Sequence, residues 1–282
     1  MRKFGSRILL FVVALLLFVV TSCNQQDASI HLTMGNPSQA TAQISNADNY
    51  LMRKQGYALS YNSSKGIPNW ISWQLNRDWL GGLQRQNDFR PDPDLPSEWY
   101  SVKPFDYNRT GYDKGHMAPS GDRTKDAAIN SETFLMTNIV PQARDNNRGT
   151  WRVLEEYSRG LVKAGKELYI ISGGIGEKKK LAKGKVSVPD RVWKIVVVLD
   201  RPGQGVSGVN VNTRAIAVDM PNENKIAPDW RKYLTTIDRL ESETGYDFLS
   251  NVSESIQQSI ESRVDDETSG AIDRGNIDRQ IR

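Results

Sequence analysis

The stretch "GYDKGHMAPSGDRTKD", residues 111–126, contains His116, one of two histidines in a chain of 282 residues that has a single cysteine, Cys23. The other histidine, His31, falls in a polar N-terminal stretch and reads as incidental, which leaves His116 as the only one in the main body of the chain. Sites that need several His or Cys ligands, such as most zinc centres, are therefore excluded, and so is a Cys–His dyad. A lone imidazole, with an ordinary pKa near 6.5, can still take a proton from water at neutral pH as a general base. Its structural alternative is a hydrogen-bonded core histidine.

A general base leaves developing negative charge for another group to stabilise, and "TNIVPQARDNNRGTWRVLEEYSRG", 137–160, supplies candidates. Trp151, Leu154, Leu161 and Val162 recur at helical spacing, predicting a helix from about Thr150 to Lys163 with one buried stripe. At roughly 100° per residue, Asn147, Glu155 and Arg159 fall within roughly 120° of one another near the helix start. An amide oxygen, a carboxylate and a guanidinium would share one edge. Hard cations such as Mg²⁺ accept few protein oxygens and keep several waters, so one Asn with a nearby Glu can suffice. The bland explanations are an N-cap for Asn146 or Asn147 and an i, i+4 surface pair for Glu155 with Arg159.

The elements that must position these groups read as α+β. "YALSYN" and "IPNWISWQL" flank "SSKG" as a hairpin, and "GYDKGHMA", "TFLMTNIV", "ELYIISGG", "VWKIVVVLD" and "TRAIAVDM" are further strand candidates. They scatter along the chain without regular helical crossovers, which predicts a central, largely antiparallel sheet flanked by helices. "FRPDPDLP", 89–96, is a rigid non-helical loop, "KKKLAKGK", 178–185, a solubilising lysine loop or a phosphate contact, and "GYDFLSNVSESIQQSIESRV" a place for a terminal helix.

The start of the chain has another character. Arg2, Lys3 and Arg7 precede "ILLFVVALLLFVV", the pattern of an export signal over residues 1–22, and "VTSC" resembles a bacterial lipobox that would lipidate Cys23. The alternative is an ordinary signal peptide cut nearby. The expected layout is a signal at 1–22, a lipidated Cys and polar tether at 23–49, one domain at 50–264 and a polar tail at 265–282. Losing Arg2, Lys3 and Arg7, with no acids in that leader, takes the formal net charge from +4 to +1. Any basic surface must then be local.

"GYDKGHMAPSGDR", "TFLMTNIVPQ" and "DNNRGTWRVLEEYSR", taken together in order and spacing, resemble the DNA/RNA non-specific endonucleases with a ββα-metal (His-Me) finger, particularly their secreted cyanobacterial branch. The likeness runs from about Tyr50 to Val264. It implies metal-dependent cleavage of single- and double-stranded DNA and RNA to 5′-phosphates, with His116 as general base and Asn147 as sole direct protein ligand of one Mg²⁺ or Mn²⁺. It further implies that Glu155 holds a water of the ion and that Arg159 contacts phosphate. Arg85, in "QRQNDFRPD", matches the arginine that neutralises the pentacovalent phosphorane, Asn138 supports the site and Asp113 braces the finger. The chain departs from the family motif Asp-Arg-Gly-His at Lys114, which keeps the charge but loses the guanidinium fork. The expected partners are DNA and RNA, a membrane through Cys23, and any protein inhibitor, which the sequence does not identify. A catalytically weak nucleic-acid-binding lipoprotein of the same fold, or a phosphodiesterase for small nucleotides, are the competing readings.

Overall fold

Two stretches, 167–175 and 191–199, are almost continuously apolar, as strands covered on both faces must be. In the computed structural model, which describes residues 29–266, they lie side by side within a seven-stranded antiparallel sheet. Among the described residues the strands are β1 (Tyr50–Arg53), β2 (Ala58–Asn62), β3 (Ile67–Leu75), β4 (Tyr112–His116), β5 (Ile139–Ala143), β6 (Glu167–Ile175), β7 (Lys179–Leu181), β8 (Val186–Val188), β9 (Arg191–Leu199), β10 (Arg214–Pro221) and β11 (Leu234–Thr235). The large sheet runs β1-β2-β3-β6-β9-β10-β11, while β4 pairs with β5 and β7 with β8 as separate antiparallel ribbons. The α-helices among the described residues are α1 (Ala127–Glu132), α2 (Arg152–Lys163), α3 (Ile237–Thr244) and α4 (Glu254–Glu261). The α+β architecture is the one expected.

Alternation along the strands divides the core between the two faces of the sheet. Ile71, Trp73, Leu168, Ile170, Val196 and Val198 pack with Trp151, Leu154, Leu161 and Val162 of the α2 segment and with Ile139 and Val140 of β5. Trp70, Tyr169, Ile171, Trp193, Ile195 and Val197 pack on the other side with Ile237 and Leu240 of α3, Ile260 of α4 and Phe248. The predicted helix at 150–163 is therefore present, with its apolar stripe buried. "TFLMTNIV" is extended only from Ile139, because a 3₁₀ turn occupies Met136–Asn138.

The expected tether at 23–49 is corrected over its described part. Met34 and Ala40 are buried in the second core cluster, and Ser38 Oγ accepts from Trp70 Nε1 at 2.7 Å. His31 is not incidental. Its Nδ1 accepts from Gln74 N at 3.2 Å and its Nε2 meets Gln55 O at 2.8 Å, so the ring is a neutral bridge between β3 and the β1–β2 turn. Polar composition concealed this, because Ser, Asn and His pair with backbone here instead of with water. The tail expected from 265 also begins inside the fold: Asp265 is buried and pairs through both carboxylate oxygens with Arg214 at 2.8 and 2.7 Å. The signal, Cys23 and residues 267–282 lie outside the described residues.

Burial, followed by the charge of Arg123, lowers His31 to about 4. Protonation would also break the bond to Gln74 N. The unfolded chain thus binds a proton that the folded chain refuses between about pH 6.5 and 4. This contribution is complete above pH 6.5 and is lost as the pH falls through that window, at up to roughly 1.4 kcal/mol per pH unit. Urea unfolding at a series of pH values should show His31→Asn to be less stable at neutral pH and to have a slope shallower by about one proton. An unchanged slope would mean that His31 is not held neutral.

Candidate active site

Strands β4 and β5 and the helix that follows make a ββα finger. In its register Asp113 faces Gln142 and His116 faces Ile139, so Lys114 and His116 share one side of β4 and Asp113 and Gly115 the other. Gly115 is required by the neighbouring strand, since a Cβ there would lie 2.2 Å from Gln142 Oε1. The Gln142 amide donates to Asn146 Oδ1 at 2.5 Å, and Asn146 Nδ2 donates to Pro221 O at 2.8 Å. Buried Asn222 docks the finger on the sheet: it donates to Pro141 O and Pro189 O at 2.9 and 2.8 Å and accepts from Ala143 N at 2.7 Å.

His116 ends β4 in an apolar box. Phe89 and Phe134 approach it with centroid separations of 5.3 and 5.0 Å, and it is 7% exposed. Nε2 is enclosed with no hydrogen-bond partner among the described residues. Burial, then the charge of Arg85, lowers the imidazole to about 3, so its ordinary value near 6.5 does not carry over. The Arg85 guanidinium lies 5.0 Å from the Phe134 centroid, and Lys114 Nζ lies 5.0 Å from that of Phe89. Asn138 stands behind the site. It donates to Ala118 O at 2.8 Å and Thr133 O at 2.7 Å and accepts from Ala118 N at 2.9 Å, fixing the backbone that leaves His116.

Asn147 sits in a wide, π-helical turn, Asn146–Trp151, broken at Gly149 (φ −104°, ψ −106°) before α2 begins. It is therefore presented by a turn and not by a continuous helix edge. Its Nδ2 donates to Asp113 Oδ2 at 3.0 Å, which leaves the amide oxygen for another partner. Asp113 also takes Arg148 Nε and Nη2 at 2.7 and 2.8 Å. Although burial opposes it, these bonds from Arg148 and Asn147 hold Asp113 below its usual value.

On α2, Glu155 and Arg159 face the cleft one turn apart. Buried Lys194 reaches Glu155 Oε1 at 3.8 Å from beneath. Burial raises the Glu155 carboxyl against the pull of Lys194 and Arg159. Arg159 Nη1 donates to Asp122 Oδ1 at 2.9 Å, and the other oxygen of that buried carboxylate accepts from Trp73 Nε1 at 3.0 Å.

These groups border an open cleft of about 670 Å³. Arg85, Asp113, Lys114, His116, Asn147, Glu155 and Arg159 all line it, whereas Asn138 does not. Five cations against three carboxylates give the lining a local positive excess. Sequence reasoning missed Phe89, Phe134, Asp122, Arg148 and Lys194. Asp122 lay within the quoted "SGDR" and Arg148 adjoins Asn147, but the remaining three had no local signal. The lysine segment at 178–185 forms β7 and the turn that leads into β8, with Lys179 Nζ 4.9 Å from the ring of Tyr112 at the cleft margin.

The sequence profile described as DNA/RNA non-specific endonuclease matches residues 35–255. A nuclease of Nostoc sp. (strain PCC 7120) is 59% identical over 237 residues, spanning 84% of this chain and 86% of that protein. Human mitochondrial endonuclease G is 25% identical over 216 residues, or 72% and 70% of the two chains. In fold the chain is similar to a structure of the EndoG/EndoGI complex, with a TM-score of 0.66 at 23% identity, covering 79% of this chain and 91% of that one.

A His116 held near 3 does not titrate near its ordinary value, so the acid limb of log kcat/KM should belong to Glu155, whose carboxyl burial raises. Glu155→Gln should lower activity and abolish that limb. A limb at about 6.5 that survives Glu155→Gln would mean that the imidazole titrates at its ordinary value.

Proposed function

The chain belongs to the DNA/RNA non-specific endonuclease family, and from that premise we propose that His116 is its general base and Asn147 the direct protein ligand of one Mg²⁺ or Mn²⁺. The observation that carries this reading is a neutral imidazole on the wall of a cation-lined cleft that also receives the free amide oxygen of Asn147. The donor set suits a hard ion: one oriented amide oxygen, a carboxylate nearby and open space for water.

The bound ion supplies Lewis-acid neutralisation of the phosphate and its leaving oxygen. The chain supplies the rest. Nε2 is shut away from solvent, so the ring nitrogen that can meet a cleft water is Nδ1, and the neutral ring carries its proton on Nε2. Nδ1 takes a proton from water as that water attacks phosphorus in line, and the 3′ oxygen leaves, giving a 5′-phosphate. Phe89, Phe134 and the Asn138 clamp keep the ring in one orientation, which is where a positioned base gains its advantage. Asp113 aims the Asn147 amide, Glu155 accepts hydrogen bonds from the water layer beside it, and Arg85 and Arg159 bind phosphate oxygens. The leader and "VTSC" support export and lipid anchoring through Cys23, so the enzyme would act on nucleic acid outside the cytoplasm.

Supercoiled plasmid and RNA should both disappear with Mg²⁺ or Mn²⁺ and persist with EDTA; retarded but intact plasmid would point to a binder instead. His116→Ala should lose roughly 10²- to 10⁴-fold in turnover while keeping its fold and Mn²⁺ affinity. Asn147→Ala should lose Mn²⁺ affinity by calorimetry as well as turnover. Equal Mn²⁺ affinity in Asn147→Ala and wild type would move the ligand elsewhere.

Lys114 is a compact charge held over Phe89, without the fork that grips two phosphate oxygens. Lys114→Arg should keep or raise plasmid cleavage. Lys114→Ala should lower it, by a factor that shrinks with added salt. Wild-type cleavage by Lys114→Ala at low salt would show that Arg85 and Arg159 hold the phosphate without it.

A further inference from the structure

Helices α3 and α4 cover the sheet face opposite α2, and their meeting point carries a group of acids unrelated to the cleft. Asp238 and Glu241 stand one turn apart on α3, and Glu261 is the last residue of α4. One carboxylate oxygen from each lies within 4.8 Å of the other two. Such crowding at a surface is ordinary, but Glu261 is not at the surface. It is 4% exposed, and its Oε1 is enclosed with no hydrogen-bond partner among the described residues.

The charges that act on Glu261 share its sign. Burial first, then Glu241, Asp238 and Asp247, push its carboxyl up to about 8. The neighbouring cation on α3, Arg239, turns away to Glu243. Glu241 Oε1 accepts from Phe248 N at 2.9 Å, so that carboxylate is fixed with its second oxygen still available. A buried, unpartnered carboxylate facing two others is costly to keep unless a proton or a cation joins it. The proton would quiet one of the three acids, whereas a divalent ion would engage all of them.

We propose that Asp238, Glu241 and Glu261 form a second divalent-cation site, which takes Ca²⁺ and ties α4 to α3. Opposite oxygens around Ca²⁺ are separated by at most roughly 4.6–5.2 Å, so three oxygens that all lie within 4.8 Å of one another fit its shell. Mg²⁺ demands a near-ideal octahedron and prefers to keep its waters, which suits it less to a set of three carboxylates. The exposed Asp238 leaves one side of the site open for water ligands and for entry of the ion.

The test uses metal-stripped full-length protein carrying Asn147→Ala, so that the cleft contributes no ion-dependent stability. Titrating Ca²⁺ should raise its Tm by several degrees, saturably, and Mg²⁺ at the same concentration should raise it less. Adding Glu261→Gln should abolish the rise and leave the metal-free Tm equal or higher, because repulsion is removed. Adding Asp238→Asn, at an exposed position where folding is not at stake, should weaken apparent Ca²⁺ affinity several-fold. In the otherwise native chain, Glu261→Gln should cleave plasmid with Mg²⁺ at the normal rate. The proposal is overturned by an absent Ca²⁺ shift, by a shift that survives both acidic substitutions, or by an equal Mg²⁺ shift.

Discussion

Four charges meet between the sheet and α2: Asp122 and Lys194 are buried, and Glu155 and Arg159 are half-buried where they reach the cleft. Removing one partner from such a set costs roughly 3–5 kcal/mol, while replacing the whole by apolar groups is often neutral or stabilising, so stability alone does not explain it. Position does. Trp73 of the central sheet donates to Asp122, which holds Arg159, and Lys194 of the same sheet underlies Glu155. Two side chains that reach the cleft are thus referenced to the most rigid part of the fold through hydrogen bonds and paired charge. The Trp151 ring, 4.1 Å from Lys194 Nζ, closes the ammonium off from water and strengthens its field at Glu155.

Two titratable groups border the cleft in opposite settings. Burial raises the Glu155 carboxyl against the pull of the cations beside it, while His116 is buried among aromatic rings and beside Arg85, both of which favour its uncharged form. The imidazole is thereby held neutral and can take a proton without first losing a counter-ion. The finger holds them in relation through polar side chains that bind backbone. Asn138 fixes the exit from β4, Asn146 ties the start of the turn to the end of β10, and Asn222 ties β5 to the sheet.

What the sequence made legible was local. His116, Asn147, Glu155 and Arg159 were singled out as candidates by residue type and helical spacing, and they line one cleft even though Gly149 breaks the helix that the spacing assumed. Lys114 and His116, two residues apart on β4, share one side of the strand, and both approach Phe89. Partners distant in sequence were not legible. Phe89 and Phe134 look like ordinary core residues until the chain brings them around the imidazole. Lys194, in "VWKIVVVLD", looks like a solvated charge within a strand, although it is among the most buried side chains of the described chain. His31 was misjudged because a polar segment can dock by satisfying backbone groups, and composition registers apolar burial only.

Indifference to sugar and base follows from how the cleft spends its carboxylates. A 2′-hydroxyl or a base amino group is read by an acceptor placed to meet it. Each acidic side chain lining this cleft already has a cation: Asp113 holds Arg148, Glu156 pairs with Arg152, and Glu155 faces Lys194. Arg85 and Lys114, by contrast, pair with no carboxylate among the described residues and rest against aromatic faces. The cleft therefore offers a nucleic acid unpaired positive charge and withholds free carboxylate acceptors, so what it can grip is the phosphate that DNA and RNA share. Arg85 and Lys114 are thus left available in a cleft whose other cations, Arg148, Arg152 and Arg159, are held by acidic partners, so the grip on the nucleic-acid backbone is set by local pairing and not by the charge of the whole chain.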